Sequence, residues 1–402
     1  MPFTQLGLHP HLVRAVQSAG YSIPTAVQTA AIPAALSGGD LLVSSQTGSG
    51  KTAAFMLPCL QRLATPAATR HPRVLVLAPT RELAQQVMRT AETYGRFLGE
   101  LRCASLVGGA PFGPQLRALE RRVDVVVATP GRLLDHLERR RIDLSRLEVL
   151  VLDEADRMLD MGFIGDIETI IARAPAQRQT LLFSATLDGV VGKLARRITR
   201  DAQRIEITPP PEHRAQIDQS LLFADDADHK GRLLDALLRE EDIGQALVFT
   251  TTKRSAQDLS GRLRMRGFAA GALHGDMNQR ERNYTLQELR RGRVRVLVAT
   301  DVAARGIDVP GISHVINFDL PRRAEDYVHR IGRTGRAGRT GIAVSFAGHR
   351  ERHVIREIER FTAQPIEVGV IPGLEPRARP TPPRRPQGAP ARRSHHQDRR
   401  SR

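Results

Sequence analysis

The chain has 402 residues, of which 41% are hydrophobic and 26% charged, with a net charge of +17. Its length suits two domains of ordinary size, and no apolar run approaches the ~20 residues that cross a membrane. The two cysteines, Cys59 and Cys103, provide neither a disulfide framework nor metal-ligand spacing, so we expect a reducing, cytoplasmic location. The charge favours a polyanionic partner, nucleic acid before anionic membrane. Trp is absent and Tyr occurs four times, which favours contacts with a nucleic-acid backbone over base stacking.

Residues 45–52 read Ser-Gln-Thr-Gly-Ser-Gly-Lys-Thr and predict a phosphate-binding loop between a strand and a helix. The chain has 4 lysines against 56 arginines, and one of the four is Lys51 in this loop. A compact ammonium reaches a phosphate in a tight loop that a planar guanidinium does not fit. Taken alone, the segment also suits an ordinary glycine-rich turn. The predicted nucleotide-binding residues here are Thr47, Gly48, Ser49, Gly50, Lys51 and Thr52, with the Thr52 hydroxyl also a ligand for Mg²⁺.

Apolar, β-rich runs alternate with helical patterns in both halves of the chain, which predicts an α/β protein with parallel sheets covered on both faces. The predicted strands are Leu41–Ser44, Val74–Ala78, Ala104–Val107, Val123–Ala128, Val149–Asp153 and Thr180–Ser184, then Ser220–Phe223, Ala246–Thr250, Val294–Thr300, Val315–Asp319 and Ile342–Phe346.

Composition divides the chain into four segments. Three consecutive prolines, 209–211, predict a stiff connector over residues 208–216 between a first domain, 1–207, and a second, 217–370. The remainder, 371–402, predicts a disordered basic tail, because residues 376–402 contain nine Arg, six Pro and a single acid, Asp398.

The apolar run 149–152 leads directly into Asp153-Glu154-Ala155-Asp156. Parallel strands deliver polar residues at their carboxyl ends, where α/β sheets bind ligands. Phosphoryl transfer needs a metal on the phosphates and a positioned nucleophile. Asp153 suits the Mg²⁺ shell, and Glu154 suits orienting and deprotonating an attacking water. An acidic helix N-cap is the alternative interpretation, and Lys51 in the same half favours the catalytic one.

In their order and spacing these motifs resemble those of the DEAD-box RNA helicases of helicase superfamily two, most closely the bacterial RhlE-type subgroup, over about residues 3–370. The resemblance implies two tandem RecA-like domains that bind ATP with Mg²⁺. It implies RNA as the partner, held by sequence-independent contacts with its backbone, and no membrane association.

The resemblance assigns further roles residue by residue. Phe3, Tyr21 and Gln28 match the element that reads adenine, since a Gln amide suits the N6 and N7 positions of the base. Asp308 matches the contact with the ATP ribose, and Arg333 and Arg336 match the arginine fingers, which join Lys51, Asp153 and Glu154 as catalytic residues. The expected RNA contacts are Thr80, Arg81, Gly109, Thr129, Arg132, Gly275, Gln279, Arg282 and Thr300. The expected coupling residues, which link ATP state to domain closure, are Asp156, Ser184, Thr186 and His329.

The function so implied is an ATP-dependent RNA helicase. RNA-stimulated ATP hydrolysis is coupled to domain closure, RNA bending and local duplex unwinding or ribonucleoprotein remodelling. Two other functions fit the same motifs: an ATP-gated RNA clamp or annealing scaffold with little unwinding, and a DNA-tracking motor of the same superfamily.

Overall fold

The computed structural model describes residues 2–45, 48–65, 69–207, 217–240, 243–304, 309, 311–335 and 340–377. Within these ranges the chain forms two seven-stranded sheets in which every pairing between neighbouring strands is parallel. The first sheet lies within residues 41–206 and the second within 217–369. The predicted connector, 208–216, falls between them and outside the described residues, as does most of the predicted tail.

The first sheet has the strand order β3-β4-β2-β5-β6-β1-β7. Its strands are β1 (Leu41–Ser44), β2 (Val74–Leu77), β3 (Cys103–Leu106), β4 (Val125–Ala128), β5 (Val149–Leu152), β6 (Gln179–Ser184) and β7 (Gln203–Glu206). The accompanying helices are α1 (Pro10–Ser18), α2 (Ala26–Leu36), α3 (Lys51–Leu63), α4 (Arg81–Gly95), α5 (Phe112–Leu119), α6 (Pro130–Glu138), α7 (Ala155–Asp160), α8 (Ile164–Ala172) and α9 (Gly189–Ile198).

The second sheet repeats the pattern with the order β10-β11-β9-β12-β13-β8-β14. Its strands are β8 (Ile217–Ala224), β9 (Gln245–Thr250), β10 (Ala270–Leu273), β11 (Val296–Thr300), β12 (Ile312–Asn317), β13 (Gly341–Gly348) and β14 (Glu367–Gly369). The helices are α10 (Ala227–Leu238), α11 (Lys253–Met265), α12 (Gln279–Arg290), α13 (Asp301–Ala304), α14 (Ala324–Ile331) and α15 (Arg352–Thr362). None of the helices that the structure describes is long and apolar enough to cross a membrane.

Each sheet is covered on both faces, which explains why its central strands are apolar without alternation. In β2, Val74 and Val76 pack into one core cluster, whereas Leu75 and Leu77 pack into the cluster on the opposite face. Successive side chains of a strand point to opposite faces, so a doubly covered strand needs apolar residues at every position. The predicted α/β class with two RecA-like domains is confirmed.

Three strands were absent from the prediction, and all three lie at sheet edges: β7, β10 and β14. β7 buries a single residue, Ile205, and β14 buries none. β10 is built mostly of small residues, Ala270-Gly271-Ala272-Leu273. An edge strand has one strand neighbour and less cover, so its sequence lacks the continuous apolar run that marks a central strand.

Asp40 joins three parts of the first domain just before β1. Its buried carboxylate accepts hydrogen bonds from the backbone N–H of Thr180 at 2.6 Å and of Arg200 at 2.7 Å. Both donors depend on this side chain, since removing it leaves two backbone N–H groups without their partner.

We expect Asp40→Ala to lower the free energy of unfolding by about 3 kcal/mol, because two charge-assisted hydrogen bonds are lost at a buried site. Denaturant unfolding measures this difference. Glu100→Ala, at an exposed carboxylate, is the control and is expected to change stability by less than about 0.5 kcal/mol. Equal stability of the two variants would contradict the linking role of Asp40.

Candidate active site

The parallel strands of the first sheet bring the predicted site residues to one edge. The phosphate loop follows β1, Thr80 follows β2, Thr129 follows β4, Asp153 follows β5, and Ala185 follows β6. Because all carboxyl ends of a parallel sheet meet at the same edge, these segments form one continuous rim. Segments that lie far apart in sequence therefore meet in a single site.

The described part of the phosphate loop holds the ammonium of Lys51. Gly48 and Gly50 have φ values of 81° and 93°, the left-handed region that favours glycine. Lys51 is 7% exposed, and its Nζ donates to the carbonyl oxygen of Ser45 at 2.6 Å. The Oγ atoms of Ser45 and Ser49 lie 3.0 Å apart. The ammonium thus sits inside the loop, while Thr47 falls outside the described residues.

Gln28 connects the helix α2 cap to the phosphate loop. Its Oε1 accepts from the N–H of Thr25 at 3.0 Å, completing a capping box, and its Nε2 donates to the carbonyl oxygen of Gly50 at 3.1 Å. A Cβ atom added at Gly50 would lie 2.5 Å from Nε2 of Gln28. Both the oxygen and the nitrogen of the Gln28 amide therefore form hydrogen bonds within the protein. Recognition of adenine by this amide would be a second role, in addition to the structural one.

The two aromatic residues predicted near adenine differ in their exposure. The ring of Phe3 is 3% exposed and packs in the core cluster on one face of the first sheet, whereas Tyr21 is 56% exposed. The apolar face of the short N-terminal segment favours burial of Phe3. Stacking of Phe3 on a base stays a prediction that requires one face of the ring to be uncovered.

Asp153 and Glu154 are adjacent carboxylates with opposite electrostatic surroundings. Burial, followed by the neighbouring charge of Glu154, raises the pKa of Asp153 to about 7, although Lys51 opposes the shift. Burial alone would raise the pKa of Glu154 as well, but the positive charges of Arg157, Arg333 and Lys51 outweigh it and lower that pKa. Glu154 is therefore ionised at neutral pH, while Asp153 is poised between its two forms.

Glu154 also has an unusual backbone conformation, with φ 52° and ψ 53° at the N-cap of α7. Non-glycine residues in this left-handed region carry strain of roughly 1–3 kcal/mol and cluster at functional sites. Its carboxylate forms a short ion pair with Arg157, which is itself 3% exposed. The sequence prediction missed Arg157, although its spacing of three residues along the helix from an acid was a signal.

The predicted coupling residues form a hydrogen-bonded connection between β6 and α7. The Oγ of Ser184 accepts from the N–H of Asp156 at 3.3 Å, and Oδ2 of Asp156 accepts from the N–H of Ala185 at 3.0 Å. Thr186 joins through its backbone N–H, which donates to Oγ of Ser184 at 3.4 Å. The segment after β6 is therefore bonded to the first turn of α7, two residues after Glu154.

Residues of the second domain approach Glu154 from α14. A small cavity is lined by Arg157 of the first domain and by His329, Arg330 and Arg333 of the second. Burial, followed by the charge of Arg157, lowers the pKa of His329 to about 4. Arg333 is 6% exposed and contributes to the lowered pKa of Glu154. The structure thus brings together Glu154, His329 and Arg333, whereas Arg336 and Asp308 lie outside the described residues.

Arg330, which the sequence prediction did not single out, anchors this side of the second domain. It is 2% exposed and forms a bidentate ion pair with Asp301, at 2.5 and 2.7 Å. Its guanidinium also donates to Oδ1 of Asn317 and stacks over the ring of Phe249. This buried network fixes α14 and therefore the direction from which His329 and Arg333 approach the first domain.

Three residues of the first domain that are predicted to contact RNA, Thr80, Arg81 and Gly109, lie in turns that follow strands of the sheet. The Oγ1 of Thr80 accepts from the N–H of Leu83 at 3.2 Å and caps α4. Gly109 has φ +68°, and a Cβ there would lie 1.9 Å from Nη1 of Arg81. The guanidinium therefore lies against the glycine backbone, which fixes it at the rim.

Thr129 and Arg132 hold the adjoining loop. The Oγ1 of Thr129 accepts from the N–H of Gly108 at 3.3 Å, and Nη1 of Arg132 donates to the carbonyl oxygen of Ala110 at 3.1 Å. The first-domain residues that were predicted to contact RNA are thus brought together at one rim.

In the second domain, two predicted RNA contacts instead bridge to the first. Arg282 is 8% exposed, and its Nη2 and Nε donate to Oε1 of Glu82 at 2.7 and 2.9 Å. Oε1 of Gln279 accepts from Nη1 of Arg81 at 3.2 Å. A buried guanidinium needs a carboxylate partner, and Glu82 provides it. Contact of Arg282 with RNA stays a prediction.

The other two predicted contacts in the second domain lie at carboxyl ends of its sheet. Thr300 ends β11 and is 7% exposed, and Gly275 follows β10 beside the stem of Lys253. They repeat in the second sheet the placement of Thr129 and Gly109 in the first, since β11 and β10 take the positions of β4 and β3.

Residues 25–194 match the DEAD/DEAH box helicase family, and residues 229–338 match the helicase conserved C-terminal domain. The chain is 44% identical over 381 residues to the protein named ATP-dependent RNA helicase SrmB of Haemophilus influenzae, covering 94% of this chain and 87% of that protein. The chain therefore belongs to the DEAD/DEAH box helicase family.

Two solved structures differ in how closely they superpose on this chain. S. cerevisiae Dbp5 bound to RNA and ADP BeF3 is 32% identical and covers 92% of this chain and 95% of its own, with a TM-score of 0.83. A DEAD box protein from Methanococcus jannaschii is 37% identical over 92% of this chain and 99% of its own, yet its TM-score is 0.53. The chain therefore superposes better on the Dbp5 complex, although its sequence is less similar to that of Dbp5.

The pKa of His329 leads to a pH-dependent stability. Its ordinary pKa of 6.5 falls to about 4 in the folded protein, so the unfolded chain binds a proton between these values and the folded chain does not. This contribution to stability is present above pH 6.5 and is lost as the pH falls toward 4. On lowering the pH from 7 to 5, we expect the parent to lose roughly 1–2 kcal/mol more unfolding free energy than His329→Gln.

Denaturant unfolding at both pH values measures this difference, and comparing variant with parent cancels the contributions of other titrating groups. The exposed His353→Gln is the matched control and should behave like the parent. A parallel pH dependence in the parent and in His329→Gln would contradict the neutral, buried state of His329.

Proposed function

We propose that the protein is an ATP-dependent RNA helicase in which RNA binding closes two domains over ATP. The observation that carries the proposal is the meeting of Glu154 in the first domain with His329 and Arg333 in the second, so that charges from both halves act on one carboxylate. An active site divided in this way is complete only when the domains are closed. Hydrolysis and phosphate loss would then release the RNA.

ATP would be held chiefly by the first domain. Lys51 would exchange its bond with the Ser45 carbonyl for the β- and γ-phosphates, and backbone N–H groups of the glycine loop would surround them. Gln28, already fixed beside Gly50, would present its amide to the adenine edge. Asp308 would contact the ribose.

Thr52 and Asp153 would hold Mg²⁺, which supplies charge neutralisation on the phosphates when it is bound. The donor set suits that ion, since Mg²⁺ takes one or two protein oxygens and completes its shell with water and phosphate. In agreement, no group of three His, Cys, Asp or Glu side chains able to form a protein-only metal cage occurs in the described residues. The pKa of Asp153 is raised because its buried carboxyl group has too little positive charge around it, and a bound cation would supply that charge.

Glu154 would orient the attacking water and accept its proton. The ion pair with Arg157 uses Oε2 and keeps the carboxylate charged and fixed, so the water would approach the other oxygen, Oε1. Arg333, together with Arg336, would stabilise charge on the γ-phosphate in the transition state, an effect worth roughly 10³–10⁵ in rate.

RNA would lie across the rim formed by both domains and contact Thr80, Gly109, Thr129, Gly275 and Thr300 through its phosphates and sugars, without base readout. The basic tail would add further phosphate contacts. The second candidate, an ATP-gated clamp, is less favoured because Glu154, Arg333 and Arg336 are all present. Cytoplasmic location and the RhlE-type subgroup remain predictions.

The test is ATP hydrolysis by the parent and by Glu154→Gln, with RNA, with DNA of the same sequence, and with neither. We expect low activity alone and strong stimulation by RNA in the parent. Glu154→Gln should lose hydrolysis by about 10²-fold or more, because an amide cannot take the proton of the water, yet it should retain ATP and RNA binding.

The exposed Glu138→Gln removes one carboxylate from the same domain, away from the rim, and should match the parent. High activity without RNA would contradict assembly of the site by closure, and equal stimulation by DNA would favour the DNA-tracking motor. Near-parent turnover by Glu154→Gln would exclude Glu154 as the base.

Gln28→Ala should reduce the preference for ATP over GTP, since an unpaired polar group costs ~1–3 kcal/mol at a site built to pair with it. Competition binding of the two nucleotides measures the preference. Thr25→Ala is the matched control, because it breaks the same capping box but leaves the Gln28 amide in place. Both variants should lose some stability, whereas only Gln28→Ala should lose discrimination. An equal loss of discrimination would assign Gln28 a purely structural role.

A further inference from the structure

The amino ends of the strands in the first sheet carry arginines that the proposed ATP and RNA sites do not use. Arg102 directly precedes β3, and Arg121 and Arg122 precede β4. The rim residues follow the carboxyl ends of the same strands, and a four-residue strand separates the two edges by roughly 13 Å at about 3.3 Å per residue. These arginines therefore lie on the edge of the sheet opposite the rim.

Two adjoining cavities are found there, and together we call their lining the amino-edge surface. The larger, of about 540 Å³, is lined by Arg96, Arg102, Arg121 and Arg122 with a single acid, Glu92. The smaller, of about 190 Å³, shares Arg121 with the first cavity, so the two are contiguous. It adds Arg70, Arg140 and Arg141, with Glu120 and Asp143 as its acids. The surface therefore has seven arginines and three acids.

Most of this positive charge is not neutralised within the protein. Arg122 pairs with Asp124 at 2.9 Å and Arg102 pairs with Glu100 at 3.9 Å, but Arg70, Arg121, Arg140 and Arg141 form no ion pair with any residue that the structure describes. Asp143 instead accepts hydrogen bonds from the backbone N–H and the hydroxyl of Ser145. Guanidinium groups gathered without partners repel one another, and a polyanion removes that repulsion.

Arg140 is held in a backbone conformation that favours glycine. It has φ 51° two residues after the end of α6, where its N–H donates to the carbonyl oxygen of Leu137 and the N–H of Arg141 donates to that of His136. Glycine is the usual residue at such a helix end because it avoids the strain. The chain places three consecutive arginines, 139–141, in this strained turn, and stability alone does not explain that choice.

We propose that the amino-edge surface is a second RNA-binding surface, which contacts phosphates of a strand or duplex that extends beyond the rim. The choice of RNA as the partner rests on the proposed function. Neither cavity is lined by Phe, Tyr or Trp, so the contacts are with the backbone and independent of base sequence. Because the surface and the rim lie at opposite edges, only an RNA longer than the rim site reaches both.

The test compares RNA binding by the parent and by Arg121→Ala/Arg140→Gly, using fluorescence anisotropy with a short and with a long single-stranded RNA. Affinity for the long RNA should fall by roughly tenfold, as expected for the loss of charge-assisted contacts. The slope of log affinity against log salt should fall by about 1.4, since each phosphate contact with single-stranded RNA contributes about 0.7. Affinity for the short strand, and the ATP hydrolysis that it stimulates, should stay unchanged.

Arg262→Ala/Arg264→Ala removes the same charge from exposed positions of α11 and should retain parent affinity for the long RNA. Arg140→Gly alone should raise the melting temperature by roughly 2 °C, which excludes misfolding as the cause of weaker binding. An equal loss in the α11 variant would overturn the proposal and make the effect one of net charge.

Unchanged affinity of Arg121→Ala/Arg140→Gly for the long RNA would also overturn the proposal, leaving an acidic protein segment as the partner that fits this charge. Equal losses for the short and long RNA would overturn it too. The proposed function fails separately, if the parent itself shows no stimulation by RNA.

Discussion

The parallel direction of all strands is the constraint on which the rest of the molecule depends. It places every strand-to-helix turn of a domain at one edge, so residues from five segments of the first domain meet without any of them being close in sequence. It also requires central strands that are apolar on both faces. Because the rim residues follow these strands directly, the packing of the core fixes their positions. The same constraint gathers the amino-edge arginines at the opposite end.

Electrostatics then makes the two domains interdependent. Asp153 and Glu154 are neighbouring carboxylates in a buried setting, and such a pair is unfavourable unless cations surround it. Lys51 and Arg157 provide part of that charge from the first domain, while Arg333 provides part from the second. The carboxylate that suits catalysis is therefore held in its charged form by both halves of the protein.

Prediction from the sequence succeeded where a run of one residue type has one structural explanation. It failed where a side chain contacts residues that lie far away in the sequence. Apolar runs predicted the central strands, but the edge strands β7, β10 and β14 were missed because partial cover does not require an apolar run. The contact of Gln28 with the phosphate loop and the pair of Arg282 with Glu82 depend on residues 22 and 200 positions away, at Gly50 and Glu82. No local pattern contains that information, and the burial of Phe3 was likewise decided by the core that surrounds it.

Because an ion pair between Glu82 and Arg282 joins the two domains, ionic strength affects the contact between the domains differently from the binding of RNA. The two side chains are each 10% exposed, so mobile ions reach the bonded pair poorly, and the pair contributes no net charge to the interface. Phosphate contacts of the kind proposed at the rim, in contrast, release condensed counterions and weaken steeply as salt is added. Added salt therefore weakens the binding of a polyanion far more than it weakens the ion pair between the domains. At high salt concentration, closure of the domains and binding of nucleic acid become separable processes.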